Sequence, residues 1–450
     1  MTTTMTSQEI KQTITNSMEQ ALKDLATLVQ CQSVASGTSS EEKAGMVAAR
    51  VATKTVLERA GFTTREIVLP SGNNAIFGEI PASSHDKPVV LLYAHYDVQP
   101  GWGEGSFMLT LKDGRYYGRG ASDDKSGILI HALAVSALKD SLGIGVKVVV
   151  EGEEETGIGS LEAYVANDKT GMFQSDAIIV ADTGNWKVGE PTLTTALRGI
   201  VVVTVKMSTL QRRVHSGLFG GPAPDALMAL IRTLATLQDE QGNVTIDELT
   251  SDPWHGSNPL TEEVFRQQAG VLPEVDLTGK GTIGDRLWAG YAVNVVGMDV
   301  PAIKGATNAL IESASARVSL RVPPDKDPQE ALDKLKQHLR SRRPWHADIS
   351  FSDEGSGEGY SASTDNDIYR AAEWALQQAY GKSTTIIGAG GSIPLINVFA
   401  QHIPQANILL WGTEEPQANI HGTDESLDPD ELKNIAIAEA LFLYKLGGGS

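Results

Sequence analysis

The chain has 450 residues, 41% of them hydrophobic and 21% charged, with a formal net charge of −19. That length implies two or three domains with enough apolar material for a large core, the acidic balance excludes a nucleic-acid binder, which needs a basic face, and no stretch approaches the ~18 apolar residues of a membrane span. The one cysteine, Cys31, excludes an internal disulfide framework, fits a reducing, cytoplasmic setting, and reads as a small buried residue in a helix.

The start, MTTTMTSQEIKQ, has no basic segment followed by an apolar run, so no signal peptide is read. Residues 8–30 and 40–60 carry helical periodicity. PVVLLYAHYDV (88–98) reads as a buried strand, 127–138 as a helix, and GVKVVVEGE (145–153) and DAIIVAD (176–182) as further strands. Strands alternating with helices predict a largely parallel sheet covered on both faces. The pattern changes near residue 198. RGIVVVTVKM is a strand, DALMALIRTLATLQ (225–238) an amphipathic helix, and 240–290 a polar, Gly/Pro-rich excursion. Then follow the strands AVNVVGMDV and SARVSLRVP, the helix PQEALDKLKQHLRSRR and the strand HADISFSD. The order β-α-β-β-α-β is the split βαβ plan. After Tyr360 come a helix at 366–380, a glycine-rich turn at 388–391, a helix after Ile393, the strand NILLWG and a last helix at 428–445. The expected fold is α/β: a mixed, mostly parallel sheet sandwiched by helices over 1–196 and 359–446, interrupted by a ferredoxin-like α+β domain at 197–358. Residues 447–450, Gly-Gly-Gly-Ser, read as an added linker.

Short motifs carry the chemistry. His95 and Asp97, two apart on a predicted strand, share a face. A carboxylate that accepts one ring N–H leaves the other nitrogen for a metal, although such a pair can also merely brace a sheet. Asp123 and Asp124, in GRGASDDKSG (118–127), open a helix after a glycine turn, and N-capping accounts for one of them. Glu151, Glu153, Glu154 and Glu155 crowd four carboxylates after a strand, which is costly unless protons or a cation neutralise them. One of them can bind metal while a neighbour takes a proton from water; solvated helix capping is the bland reading. Asp182 precedes Thr183-Gly184, a common turn, and His421 alone is an ordinary loop histidine. Position joins them. His95, Glu154, Glu155 and Asp182 lie at or beyond the C-terminal ends of predicted strands, where open parallel sheets bind ligands. Histidine and carboxylate without thiolate suit zinc, manganese or cobalt.

The ordered strings YAHYDVQP, GRGASDDKSG, EGEEETG, ADTG, VHSGLFGG and GGSIP, followed by the late His421, resemble the co-catalytic zinc peptidases over nearly the whole chain. That family includes carnosinases, cytosolic nonspecific dipeptidases, carboxypeptidase G-type enzymes, aminoacylases and acetylornithine or succinyl-diaminopimelate deacylases. The resemblance implies two zinc ions per subunit, with manganese or cobalt as substitutes, bridged by Asp123. One ion would be held by His95 and Asp182, the other by Glu155 and His421. Glu154 matches the general acid/base, Asp97 the carboxylate behind the first histidine, and Glu153 is a bystander. A cis Asp123–Asp124 peptide is expected. The inserted domain would act as lid and dimerisation domain, and the protein as a homodimer in which His215 steadies the substrate oxyanion across the interface. Arg321 matches a position that grips a substrate carboxylate with its fork-shaped guanidinium, with Arg198 as the alternative, and Gly391 and Ser392 would line the substrate pocket.

Three departures bear on substrate identity: Arg213-Val214 before His215, Gly388-Ala389 before the glycine pair, and Asn308-Ala309-Leu310-Ile311. The expected activity is zinc-dependent hydrolysis of dipeptides or short peptides by a metal-bridging water with Glu154 as base. An N-acyl amino acid deacylase would use the same metals on a different substrate. A non-catalytic binding protein on this fold is opposed by the intact Glu154. The expected partners are a small peptide or N-acyl amino acid and a second copy, with no nucleic acid and no membrane.

Overall fold

The strand Val89–His95 occupies the middle of the larger sheet and is buried along almost its whole length. The computed structural model describes residues 5–391 and 393–449. It divides into two units: Met1–Thr195 with Ala362–Ile387 and Pro394–Ser450, and Ala196–Ser361 with Gly388–Ile393. In the first unit, Val89–His95 pairs in parallel with Gly145–Glu151 on one side and Ala177–Val180 on the other, and Asn407–Leu410 continues the parallel run. These segments are near-continuous Val, Leu and Ile because both faces are covered and no solvent side calls for alternation. Outside them the pairing turns antiparallel. Ala75–Ile80 joins Gly145–Glu151, Thr63–Ile67 joins Ala75–Ile80, and Thr192–Leu197 joins Asn407–Leu410. The sheet is therefore mixed, with its parallel part at the centre.

Helix Lys125–Leu138 has no polar stripe because it is buried on nearly every side. It lies against Val89–His95 and is overlaid by helices Ser7–Gln30, Ser40–Ala60 and Pro429–Leu446. The outer Ser7–Gln30 buries Ile10, Ile14, Ala21, Leu25 and Leu28 at helical spacing, and its Thr6–Glu9 capping box satisfies the first backbone N–H groups. Each Leu or Ile so buried contributes about 1.5–3 kcal/mol. Leu92→Ala, at the fully buried centre of the sheet, would cost about 2–5 kcal/mol. Within this core His131 is satisfied at both nitrogens, by Glu439 Oε1 at 2.8 Å and the Tyr93 carbonyl at 2.9 Å. Cys31 departs from expectation. It is the C-cap of Ser7–Gln30 and only half-buried, its thiol donating to the Thr27 carbonyl at 3.1 Å.

The second unit has a four-stranded antiparallel sheet in the order Ala292–Asp299, Ser313–Val322, Gly199–Ser208, Asp348–Gly357. Val201, Val203, Val205 and Met207 of Gly199–Ser208 point to the core at alternate positions, where helices Ala226–Leu234 and Pro328–Arg342 cover them. The chain order of strands and helices is the split βαβ plan. Ala226–Leu234 stops short of residue 238, giving way to a tighter turn at Ala235–Leu237. The excursion at 240–290 contains the eight-residue helix Glu262–Ala269, which fully buries none of its residues. Among the described residues no helix is long and apolar enough to cross a membrane.

Candidate metal centre

The four parallel strands end on one rim of the first unit, and the acids and histidines collect there. His95 is the last residue of its strand, and Glu154–Thr156 is a tight helical turn just beyond Gly145–Glu151. Asp182 follows Ala177–Val180, and Glu414 lies a short way beyond Asn407–Leu410. This is the edge at which open α/β sheets hold ligands.

Asp123 is shared by two clusters. Its Oδ1 lies 3.0 Å from His95 Nε2, which is also 3.7 Å from Asp182 Oδ1. Its Oδ2 lies 3.0 Å from His421 Nε2, which is 3.1 Å from Glu155 Oε2. In each group, His95–Asp123–Asp182 and Asp123–Glu155–His421, the donor atoms fall within 4.8 Å of one another, a spacing that fits a cation. His95 Nε2 is buried and makes no hydrogen bond among the described residues. A buried ring nitrogen facing two carboxylates without a bond is what a metal ligand looks like. The electrostatics agree. Burial alone would lower the His95 imidazole, but Asp123, Asp182 and Asp97 outweigh it and hold the ring well above its usual value. Asp123 and Glu155 lift His421 to about 10. Burial and then the Asp182 charge push the Glu154 carboxyl well above the usual carboxylate range. So much negative charge in one buried place calls for cations.

Asp97 stands behind His95, its carboxylate 3.5 Å from Nδ1, and it has a second task. The strand ends at His95, and His95 Nδ1 bonds the Asp97 backbone carbonyl at 3.0 Å. The carboxylate also accepts the backbone N–H groups of Glu154 at 3.2 Å and Glu155 at 3.1 Å. Glu155 is further held by Gln99, whose backbone N–H and side-chain amide donate at 3.2 and 2.7 Å. Glu151 and Glu153 face away from this chemistry. Glu151 accepts from the Tyr93 hydroxyl at 2.8 Å and Glu153 from the Ser160 N–H at 2.9 Å.

The loop bearing Asp123 is fixed by Glu425, a role that the sequence did not reveal. Its Oε2 accepts Gly120 N–H at 3.0 Å and the Arg119 guanidinium at 2.9 Å, and its Oε1 accepts the N–H groups of Ser122 at 3.0 Å and Asp123 at 3.1 Å. The short pairing of Ser426–Leu427 with Arg115–Tyr117 brings Glu425 to this loop. Asp124 caps Lys125–Leu138 by accepting Gly127 N–H at 3.2 Å and also accepts His95 N–H at 3.2 Å. The Asp123–Asp124 peptide is cis. His421 sits in a loop where Asn419, His421 and Asp424 all have positive φ, strain of a kind that clusters at functional sites.

Glu414 was also missed. Glu414 N–H bonds the Thr183 carbonyl at 3.2 Å. The two segments meet so closely that a Cβ on Gly184 would lie 2.3 Å from the Glu414 carbonyl carbon, and one on Gly412 would lie 2.2 Å from the Thr183 oxygen. This approach sets the Glu414 carboxyl against Asp182, where burial and the charges of Asp182 and Asp123 push it well above the usual range.

The remaining predicted residues belong to the second unit. His215 is exposed in the short strand Val214–His215, its Nδ1 accepting Gly217 N–H at 3.0 Å. Arg321, half-buried near the end of Ser313–Val322, and the buried Arg198 are close enough for like charge to be felt. No carboxylate pairs with either among the described residues, and Arg198 Nε is buried without a partner. Gly391 is exposed. Ser392 lies outside the described residues.

The sequence pattern of "Peptidase family M20/M25/M40" matches residues 91–445. A cysteinylglycine-S-conjugate dipeptidase of Corynebacterium striatum is 37% identical over 450 residues, which covers 96% of this chain and 97% of that protein. The Cys-Gly metallodipeptidase dug1 of Schizosaccharomyces pombe is 27% identical, covering 78% of each. The crystal structure of human carnosine dipeptidase 1 shares the fold, with a TM-score of 0.79 at 22% identity over 99% of this chain and 100% of that one.

Proposed function

The chain belongs to peptidase family M20/M25/M40, and from that premise we propose that it is a metallodipeptidase hydrolysing the peptide bond of dipeptides or short peptides at the centre shared by Asp123. The observation that carries the reading is that carboxylate, whose two oxygens each lie 3.0 Å from a different histidine. His95, Asp123 and Asp182 would hold one divalent cation and Asp123, Glu155 and His421 a second. Two zinc ions fit a set of imidazole and carboxylate donors without thiolate. When bound, the ions supply an activated water and polarise the scissile carbonyl. Glu154, on the turn that Asp97 anchors, takes the proton from the attacking water and returns it to the leaving amine. Among relatives named for dipeptide cleavage, the N-acyl amino acid deacylase reading is not favoured.

The second unit supplies the rest of the proposal. Arg198 and Arg321, to which no carboxylate is paired among the described residues, suit a substrate carboxylate. The outer strand Ala292–Asp299 exposes Val295, Val296 and Met298 at a sheet edge. Bare apolar edges invite pairing, which supports a homodimer with His215 assisting from the neighbouring subunit. The lone cysteine supports a reducing, cytoplasmic setting.

Metal content and a dipeptide panel on the purified protein test the reading. Chelation abolishes cleavage, zinc restores it, and Glu154→Ala lowers kcat by about 10²–10⁴-fold with metal retained. Activity unchanged by Glu154→Ala would refute the mechanism, and a fully active monomer would refute the role of His215.

A further inference from the structure

We propose that Glu414 is a specificity residue that receives the free α-ammonium of the substrate's N-terminal residue, so that dipeptides are favoured over N-acyl amino acids. The inference rests on the hydrolase reading above and deepens it. Every other acid around the centre has a task. Asp123, Asp182 and Glu155 face the two cation positions, and Glu154 carries the proton. Asp97 is bonded to the Glu154–Glu155 backbone, Asp124 to His95 and Gly127, and Glu425 to the 119–123 loop. Glu151 is bonded to Tyr93 and Glu153 to Ser160. Glu414 stands against the Asp182 side chain, but its buried Oε1 receives no hydrogen bond among the described residues. Nothing basic from the described residues forms an ion pair with Glu414, so its natural counter-ion is one that arrives with the substrate.

The chemistry of a dipeptide places such a cation here. Its amino nitrogen is separated from the scissile carbonyl carbon by one tetrahedral carbon, a distance of about 2.5 Å. A carbonyl held at the centre therefore brings its ammonium into the same buried nest, on whichever side an acid is free. Glu414 offers that acid beside Asp182, on the His95 side of Asp123. An N-acyl substrate carries a neutral group at this point and would leave the carboxyl buried and unpaired, which is the strongest way for a polar site to reject an analogue. The backbone is shaped for the purpose: only glycine at 184 and 412 lets the two segments approach closely enough to bring Glu414 to Asp182.

The test compares alanylglycine with propionylglycine, the same skeleton without the nitrogen, on the metal-loaded full chain. The wild type is expected to favour alanylglycine in kcat/KM by about a hundredfold or more, and Glu414→Gln to narrow that ratio by about tenfold or more. A second readout needs no turnover. In a Glu154→Gln background, calorimetric binding of alanylglycine weakens about tenfold when Glu414→Gln is added, with metal content equal in both proteins. An unchanged ratio, an equal loss on both substrates, or loss of metal from the Glu414→Gln protein would overturn the proposal. If the wild type cleaves both compounds alike, the hydrolase reading stands and the role of Glu414 alone is lost. If it cleaves neither these nor any dipeptide of the panel, the hydrolase reading falls and takes this inference with it.

Discussion

Asp97 turns its carboxylate to the backbone of Glu154, whose N–H it accepts at 3.2 Å, and to that of Glu155 at 3.1 Å, and so a single buried side chain sets the position of both the proposed proton carrier and a proposed cation ligand. Asp97→Asn keeps the shape but replaces one acceptor oxygen with a donor that faces an N–H. The expected result is a loss of about 10–100-fold in kcat/KM together with weaker metal binding. Steady-state kinetics and metal titration check it, and wild-type values for both would exclude a positioning role.

Glu425 connects the loop of His421 to the loop of Asp123. Glu425→Gln can accept at one oxygen only and presents an amide donor where two N–H groups now point. Metal affinity should fall by about 10–100-fold, while Arg119, which stacks over Trp102 at 4.9 Å, loses its ion pair. Competition with a fluorescent chelator measures the affinity.

Metal loading should release protons. Asp123 and Glu155 hold His421 at about 10, and His95 is raised as well, so at neutral pH both rings of the metal-free protein carry protons that a cation must displace. Binding should release about two protons per chain and weaken as the pH falls. Calorimetry in buffers of different ionisation enthalpy counts them, and zero released protons would contradict the ligand assignment.

Gly184→Ala is expected to destabilise by about 1–3 kcal/mol, because its Cβ would stand 2.3 Å from the Glu414 backbone. The same clash moves Glu414 away from Asp182. Urea unfolding and the alanylglycine-to-propionylglycine ratio should therefore change together in this variant.

His338, in the second unit, donates from Nε2 to the Thr236 carbonyl at 2.9 Å, while its Nδ1 is buried without a partner. Burial lowers its pKa, the Thr236 carbonyl acts in the opposite sense, and the Arg342 charge adds to the lowering. The unfolded chain takes up a proton near the ordinary value of about 6.5 and the folded ring does so only at lower pH. Stability from this group is therefore present above that value and is lost as the pH falls below it. His338→Gln should flatten the dependence between about pH 5 and 7, read as the difference in urea midpoint between metal-free wild type and variant.

The readable parts of the molecule are those in which local pattern and tertiary role coincide. Val-rich runs announce the central strands because burial on both faces leaves them no polar positions, and acids at their ends announce the rim. Glu414 obeys the same strand-end rule, but its neighbour Asp182 lies far earlier in the chain, and only the two glycines at the crossing hint at their approach. Asp97 was placed behind His95 by its i, i+2 spacing, where its carboxylate lies 3.5 Å from Nδ1, but its hold on the Glu154 and Glu155 backbone, far along the chain, left no local mark. The helix Glu262–Ala269 escaped notice because its eight residues, little more than two turns, are too few to establish a period within a polar segment.

The order of the segments has a consequence for the protein while it is being made. The first unit is assembled from both ends of the chain, with the whole of Gly199–Ser361 translated between them. His421 and helix Pro429–Leu446, which backs Lys125–Leu138, leave the ribosome after the whole of Ala196–Ser361. A nascent chain therefore carries His95, Asp123, Glu154, Glu155 and Asp182 before it carries the last histidine of the proposed set or the helix that packs on Lys125–Leu138. The order of synthesis thus delays assembly of this rim until the second unit has been translated.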